Sequence, residues 1–371
     1  MNIHHKTMAH SPKIRHIKET DIDNVLALHN QIYCDNRRQD HWLWEYKGNY
    51  PDFYVFMVIE DDGKIVGSQG MMPIYLQWKK KVHLTGKSEN SLLNPKYRGG
   101  TWFVDLYDSA IKACKQKGMS CIWGFTPVGK VWRHKLGFSV HDDAMYEAIT
   151  VMNIKRALGF FTNKKDSVHK KIFAFFTVLG VYLYSIASRF FFRLRTRGSK
   201  NEFNLQHTLR SPNGITELFA RLEKKTPGLI YINQNEKYLQ WRLFNNPIGN
   251  YKTFYIYRNS LLEAYAHVNN DEKNVLFLTD FTYVNTKAGI FLMKKIFEES
   301  VNSDIGCLYF LGNQKNPLII DKFHLLRKCG FIRRKSRLSF VVKDIKNMET
   351  DHLYDIKNWY LNGLWTEGYT I

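Results

Sequence analysis

One stretch constrains this chain more than any other: Asn94-Pro95-Lys96-Tyr97-Arg98-Gly99-Gly100-Thr101-Trp102. It follows the apolar run Ser91-Leu92-Leu93 and opens onto a helical pattern over residues 103–117. A strand that turns this tightly into a helix points several backbone N–H groups and the positive helix end at one spot. Such a spot holds a pyrophosphate. Arg98 adds a charge-assisted contact to the same anion.

The elements around the turn alternate. Residues 21–33 carry apolar positions at helical spacing (Ile22, Val25, Leu26, His29, Ile32) behind Thr20 and Asp21 as candidate caps. Residues 53–60 and 65–75 read as strands joined by Asp61-Asp62-Gly63-Lys64, and 82–93 as a third. The helix over 103–117 ends at Gly118, followed by a strand over 120–125, a short helix over 127–135 stopped by Gly137, and a strand over 145–152. This is an α/β (α+β) unit on a mixed sheet.

With 371 residues there is room for two domains, and 44% hydrophobic residues argue against global disorder. The net charge of +20 selects anionic partners without choosing among phosphorylated cofactors, nucleotide-linked substrates, anionic lipid and nucleic acid. The five cysteines (34, 114, 121, 307, 329) form no CxxC pair. Neither a disulfide framework nor a metal site is expected, and the thiols read as core residues in a reducing cytosol. The polar, His-rich residues 1–12 read as a flexible arm.

The order of elements, the NPKYRGG turn and Lys135-Leu136-Gly137-Phe138 resemble the GNAT superfamily of acyl-CoA-dependent N-acyltransferases. That family's turn reads V-x-P-x-x-R-G-x-G-x-G/A. Residues 95–118 follow it without a gap but place Thr101 at the main pyrophosphate glycine and Phe103 at a small helical position. The resemblance implies acetyl-CoA as co-substrate. Its binding residues would be Leu92 and Leu93 on the strand, Arg98, Gly99, Gly100, Thr101 and Trp102 in the turn, and Arg133.

The second half echoes the first. Trp44-Glu45-Tyr46-Lys47-Gly48-Asn49 returns as Trp241-Arg242-Leu243-Phe244-Asn245-Asn246, and Lys135–Phe138 as Lys328-Cys329-Gly330-Phe331. Trp44 to Gly137 is 93 positions and Trp241 to Gly330 is 89. Strands over 253–257, 262–267, 275–283, 306–311 and 337–342 and helices over 286–299 and 317–328 complete the echo. The chain is similar to tandem GNAT proteins of bacterial surface-polysaccharide gene neighbourhoods and, more remotely, to two-domain GNAT enzymes that modify aminoglycosides. The expected division is an acyl-CoA-binding domain over 13–155, a helical insertion over 156–205, a degenerate second domain over 206–345 and an aromatic tail over 346–371 that packs back. The second unit has no Arg-Gly turn; Val284-Asn285-Thr286-Lys287-Ala288-Gly289 reads as a surface shaping the substrate cleft.

Residues 172–188 carry no charge, with Lys164, Lys165, Lys170 and Lys171 before them and Arg189, Arg193, Arg195 and Arg197 after. Three readings fit: a helix lying on an anionic membrane surface, a helix buried between domains, and a spanning helix. Basic flanks on both sides give no orientation bias, which favours the surface reading and a cytoplasmic protein at the inner face of the membrane.

N-acyl transfer needs a base for the amine, a donor for the developing oxyanion and a proton for the thiolate. Glu89 is the first candidate for the base; the alternative is a surface carboxylate paired with Lys87. Asn90 joins it as a catalytic candidate, and Ser88 as a substrate contact. The family often places a tyrosine where Arg133 stands. Either Arg133 stabilises the thiolate, or Tyr97 or Tyr107 substitutes as the acid; the other reading of Arg133 is a phosphate or surface contact. Trp42 and Trp44 read either as walls of an acceptor cleft or as core. The expected acceptor is the amine of an amino sugar or related molecule, nucleotide- or lipid-linked, in cell-surface polysaccharide assembly. Aminoacyl transfer of the FemAB type, an acyl-carrier-protein donor, and a non-catalytic basic membrane- or nucleic-acid-binding protein remain alternatives. No helix-turn-helix, zinc-finger or RNA-binding signature calls for a specific nucleic acid.

Overall fold

A computed structural model describes residues 11–162, 166–196, 202–208, 210–271, 274–303, 305–347 and 350–366. Ten of the twelve residues of the expected N-terminal arm, and the last five of the C-terminal tail, lie outside these.

The chain divides into two units, neither contiguous in sequence. The first comprises Met1–Tyr75, His83–Val140 and Val341–Thr350. Its elements are β1 (Lys13–His16), α1 (Ile22–Tyr33), α2 (Gln39–Lys47), β2 (Val55–Asp61), β3 (Lys64–Trp78), β4 (Lys81–Leu93), α3 (Trp102–Gln116), β5 (Cys121–Thr126), α4 (Gly129–His134) and β6 (Ser139–His141). β1 and β3 pair antiparallel with β2, and β5 runs parallel to β4. One sheet face packs on α3: Val55, Met57 and Ile59 of β2 meet Leu106, Tyr107 and Ala110. On the other face Phe56 meets Trp42 and Tyr46 of α2. Alternation along β2 thus separates two helical layers.

The second unit comprises Leu76–Val82, His141–Phe340 and Asp351–Ile371. It contains β7 (Met145–Val151), α5 (Ile154–Phe161), α6 (Val168–Arg195), β8 (Asn204–Gln206), α7 (Ile215–Lys225), β9 (Tyr231–Ile232), α8 (Glu236–Leu239), β10 (Tyr251–Arg258), β11 (Leu261–Asn270), β12 (Val275–Tyr283), α9 (Thr286–Asn302), β13 (Cys307–Asn313), α10 (Pro317–Lys328) and β14 (Ile332–Lys335). Its sheet runs β14-β7-β13-β12-β11-β10-β8.

Two strands differ from the expected division. β7, expected to close the first unit, sits in the second sheet between β13 and β14, antiparallel to both. β15 (Ser339–Asp344), expected to close the second, lies in the first sheet between β5 and β6. Each is a short apolar run, and periodicity alone does not say which sheet such a run joins. The expected insertion over 156–205 is not a separate linker: α6 packs through Val178 on Val151 and Ala157 of the second unit. Cys114, Cys121, Cys307 and Cys329 are buried core thiols, whereas Cys34 is exposed.

Candidate active site

Strand β4 carries an irregularity that organises the site. Ser88 and Ser91 both bond the Tyr107 hydroxyl, at 2.7 and 3.1 Å, although residues three apart in a regular strand face opposite sides. Asn90, at φ 55°, is the extra residue that brings them to one face. Gln69 completes this cluster, donating Nε2 to Ser88 Oγ at 3.0 Å and accepting from the Ser91 hydroxyl. Tyr107 is fully buried, and burial pushes its phenol well up, so it stays protonated.

The other face of the bulge is held by a polar cluster that sequence reasoning missed. Asn90 Oδ1 accepts from Arg37 Nη1 at 2.6 Å, while its amide donates to Glu45 Oε2 at 3.0 Å and to the Tyr46 hydroxyl at 2.6 Å. Arg37 also donates to Glu45, a buried ion pair. Burial, with the Glu45 charge behind it, drives the Tyr46 phenol well up. The Tyr46 hydroxyl lies so close to Gly70 of β3 that a Cβ there would sit 2.0 Å from it, so only glycine fits. Among the sequence signals, an asparagine inside a strand was the usable one, because asparagine tolerates the left-handed region.

Glu89 lies on the face opposite Ser88, three-quarters buried and paired with the buried Lys87. The pairing with Lys87 envisaged for a surface carboxylate is therefore present, with both partners largely buried.

The cofactor-side cleft forms where β4 and β5 part. Their parallel register covers Gly86–Lys87 against Ile122–Trp123, and β4 then continues to Leu93. A cleft of about 380 Å³ lies between its end and the chain after β5, with Ser91 and Leu93 on one wall and Val128, Val131 and Trp132 on the other. Arg98, Gly99, Gly100 and Lys135 edge it. Gly99 has φ 95°, and a Cβ on it would meet no atom within 4 Å, so the backbone lies open to a ligand. Thr101 precedes α3 without capping it; its hydroxyl donates to Asp105 at 2.7 Å instead. The first amides of α3 are thus left uncapped by that side chain, as a bound pyrophosphate requires. Phe103 lines the cleft and packs on Tyr107. The donor set fits the diphosphate and the apolar arm of coenzyme A.

The other expected site residues fall as follows. Leu92 is buried behind the strand and Trp102 packs partly on the α3 core. Arg98 Nε donates to the Leu93 carbonyl at 3.2 Å. Arg133 is exposed and is not among the residues lining the cleft; its Nη2 donates to the Val140 carbonyl at 3.2 Å. Trp42, 1% exposed, packs among Tyr46, Tyr54 and Phe56, and Trp44 is buried against His41. Both tryptophans are core, not walls of an open cleft. Of the two substitute acids, Tyr97 is bonded to Asp61, while Tyr107 reaches the cleft through Ser91.

The matching slot of the second unit is filled from within. β12 and β13 run parallel from Val275↔Cys307 to Leu278↔Phe310. Beyond this, Asn362 bridges to Gly312 of β13 and donates to Asp280 of β12 at 2.9 Å, and a Cβ on Gly363 would crowd Thr279 at 3.0 Å. Trp359 and Trp365 are buried there as well. Asn285 caps α9 by accepting from Ala288 N at 3.0 Å, so its N-terminus is satisfied by the chain itself. Beside the slot, Lys322 is buried under the Tyr360 and Tyr283 rings, and burial lowers its ammonium to about 7.

Residues 13–139 match the family described as acetyltransferase (GNAT) domain. The first unit is similar to a GNAT domain. Among solved structures, a conserved protein of unknown function from Enterococcus faecalis V583, titled a probable N-acyltransferase, superposes with a TM-score of 0.59 at 8% identity, covering 91% of this chain and 73% of that one. A GCN5-related N-acetyltransferase from Kribbella flavida gives 0.57 at 12%, covering 91% and 71%. A tandem GNAT protein from the clavulanic acid biosynthesis pathway gives 0.52 at 8%, covering 91% and 100%. No curated protein matches the sequence. The fold is therefore a mixed α/β arrangement with two sheets, similar to that of tandem GNAT proteins.

Proposed function

We propose that the protein is an acyl-CoA-dependent N-acyltransferase whose first unit carries the chemistry. The single observation that carries this reading is the cleft between β4 and β5, closed at one end by the open Gly99–Gly100 backbone and the uncapped start of α3. Acyl-CoA supplies an activated thioester. Arg98 and the α3 amides hold its diphosphate, and Leu93, Phe103 and Val131 flank its apolar arm.

Glu89 takes the proton from the attacking amine as the C–N bond forms and the C–S bond breaks. The Ser91 hydroxyl, turning from Gln69 Oε1 and accepting from the protonated Tyr107, donates to the departing sulfur. Lys87, ion-paired with Glu89, holds the carboxylate in place. Acetyl-CoA is the proposed donor, and the amine of an amino sugar in surface-polysaccharide assembly is the proposed acceptor class, on the strength of the resemblance alone. The second unit contributes no acyl-CoA site in this reading, because its slot holds residues 359–365.

Calorimetric titration with acetyl-CoA, run beside Arg98→Ala and Glu89→Gln, tests the proposal. Wild-type binding in the micromolar range, weakened at least tenfold in Arg98→Ala and retained in Glu89→Gln, is expected. Absence of binding to acetyl-CoA and to longer acyl-CoAs would sink it and bring the aminoacyl-transfer and non-catalytic readings forward.

A further inference from the structure

Helix α6, Val168–Arg195, presents two unlike faces. One is packed within the second unit: Val178, Ser185 and Phe192 are buried, and the Ser185 hydroxyl donates to the Gly330 carbonyl at 3.0 Å. The opposite face is apolar and open. Phe173 is 75% exposed, Phe176 64%, Leu183 58%, Phe190 58% and Phe191 56%. Phe173, Phe176, Leu183 and Phe190 recur at three- and seven-residue intervals, with Phe191 beside them, and so form one stripe along about 27 Å of helix. Scattered exposed apolar residues are ordinary, but a continuous aromatic stripe marks an interaction surface.

The charge around the stripe says what covers it. Exposed Lys170 and Lys171 lie at one end, and Arg193 and Arg195 at the other. Between α6 and α10 runs a groove of about 520 Å³ that Phe191 lines together with Arg195, Arg327 and Lys328, with Asp321 as its one carboxylate. A second groove of about 420 Å³ is lined by Tyr184, Ile332, Arg327 and Arg333. Apolar side chains for acyl tails beside guanidinium groups for phosphodiesters are complementary to an anionic lipid surface. We infer that α6 docks flat on a bilayer containing anionic phospholipid, with its aromatic stripe in the interface and headgroups in the two grooves. A spanning orientation would strip the inner face of α6 from β7 and α10, breaking the Ser185 bonds and the bonds from Arg189 to Thr150 and Val151.

The test is co-sedimentation of the full chain with vesicles of phosphatidylcholine alone and of phosphatidylcholine mixed with phosphatidylglycerol. Wild-type protein is expected to pellet with the mixed vesicles and to be released by high salt. The triple variant Phe173→Ser, Phe176→Ser, Phe190→Ser changes exposed residues only and should lose binding while melting like the wild type. Each of Arg195→Ala, Arg327→Ala and Arg333→Ala should weaken binding about fivefold. Equal binding to both vesicle types would overturn the inference. So would self-association of the wild type through this face, abolished by the triple serine variant, with no vesicle binding.

Discussion

Asn90 donates its side-chain amide to Glu45 Oε2 at 3.0 Å, tying the β4 bulge to helix α2. The bulge aligns Ser88 and Ser91 on Tyr107 and leaves Glu89 on the opposite face. The geometry of the proposed site therefore rests on the Asn90–Glu45 pair. Glu45→Gln removes the charge of a buried ion pair with Arg37, a cost of about 3–5 kcal/mol. Asn90→Gly keeps the left-handed backbone, whereas Asn90→Ala loses the side chain and strains the backbone by a further ~1 kcal/mol. Urea unfolding of the three variants measures both differences; equal stability of the Gly and Ala variants would remove the backbone argument.

Tyr107→Phe removes the hydroxyl that Ser88 and Ser91 share. Leaving buried hydroxyls short of a partner costs about 1–3 kcal/mol. If the Ser91–Tyr107 pair donates to the leaving sulfur, turnover should also fall at least about tenfold while acetyl-CoA affinity holds. Steady-state kinetics beside calorimetry separates the two effects. A variant with lower stability and unchanged turnover would assign Tyr107 to the scaffold alone.

Lys322 carries a pH signature. Its folded value of about 7 lies below the ordinary lysine value of 10.5, because burial disfavours the ammonium. Between these values the unfolded chain binds more protons than the folded one, so this group makes stability rise with pH from about 7 to 10.5. The slope approaches about 1.4 kcal/mol per pH unit within that window. Denaturation midpoints of wild type and Lys322→Met from pH 7 to 10 should diverge in slope accordingly, with the methionine variant flatter.

The C-terminal segment behaves as core. Trp359→Ala should destabilise by about 3–5 kcal/mol, as expected for a fully buried tryptophan. Asn362→Leu leaves Asp280 one donor short, for about 1–3 kcal/mol, although Gln234, Tyr265 and Thr282 still donate to its carboxylate. Acetyl-CoA affinity should be unchanged in both, since the proposed cleft belongs to the first unit. Lost affinity in folded Asn362→Leu protein would place the acyl-CoA site elsewhere.

The strand–turn–helix over 91–116, the helical spacing of α1 and the paired Trp44/Trp241 and Gly137/Gly330 echoes were legible in the sequence, because each rests on local periodicity and turn chemistry. Arg98, Gly99 and Gly100 were legible for the same reason: a turn states its own backbone demands in its residues. The partners of Asn90 were not. Arg37 and Glu45 lie 53 and 45 positions away, and only folding brings a buried charge pair to a bulge. Trp42 looked equally suited to a cleft or a core, since side-chain type does not reveal which face is covered. Likewise β7 and β15 change sheets, because an apolar strand satisfies its backbone in whichever sheet offers it two edges. Tertiary structure decided where distant segments meet, as no local rule encodes a contact between them.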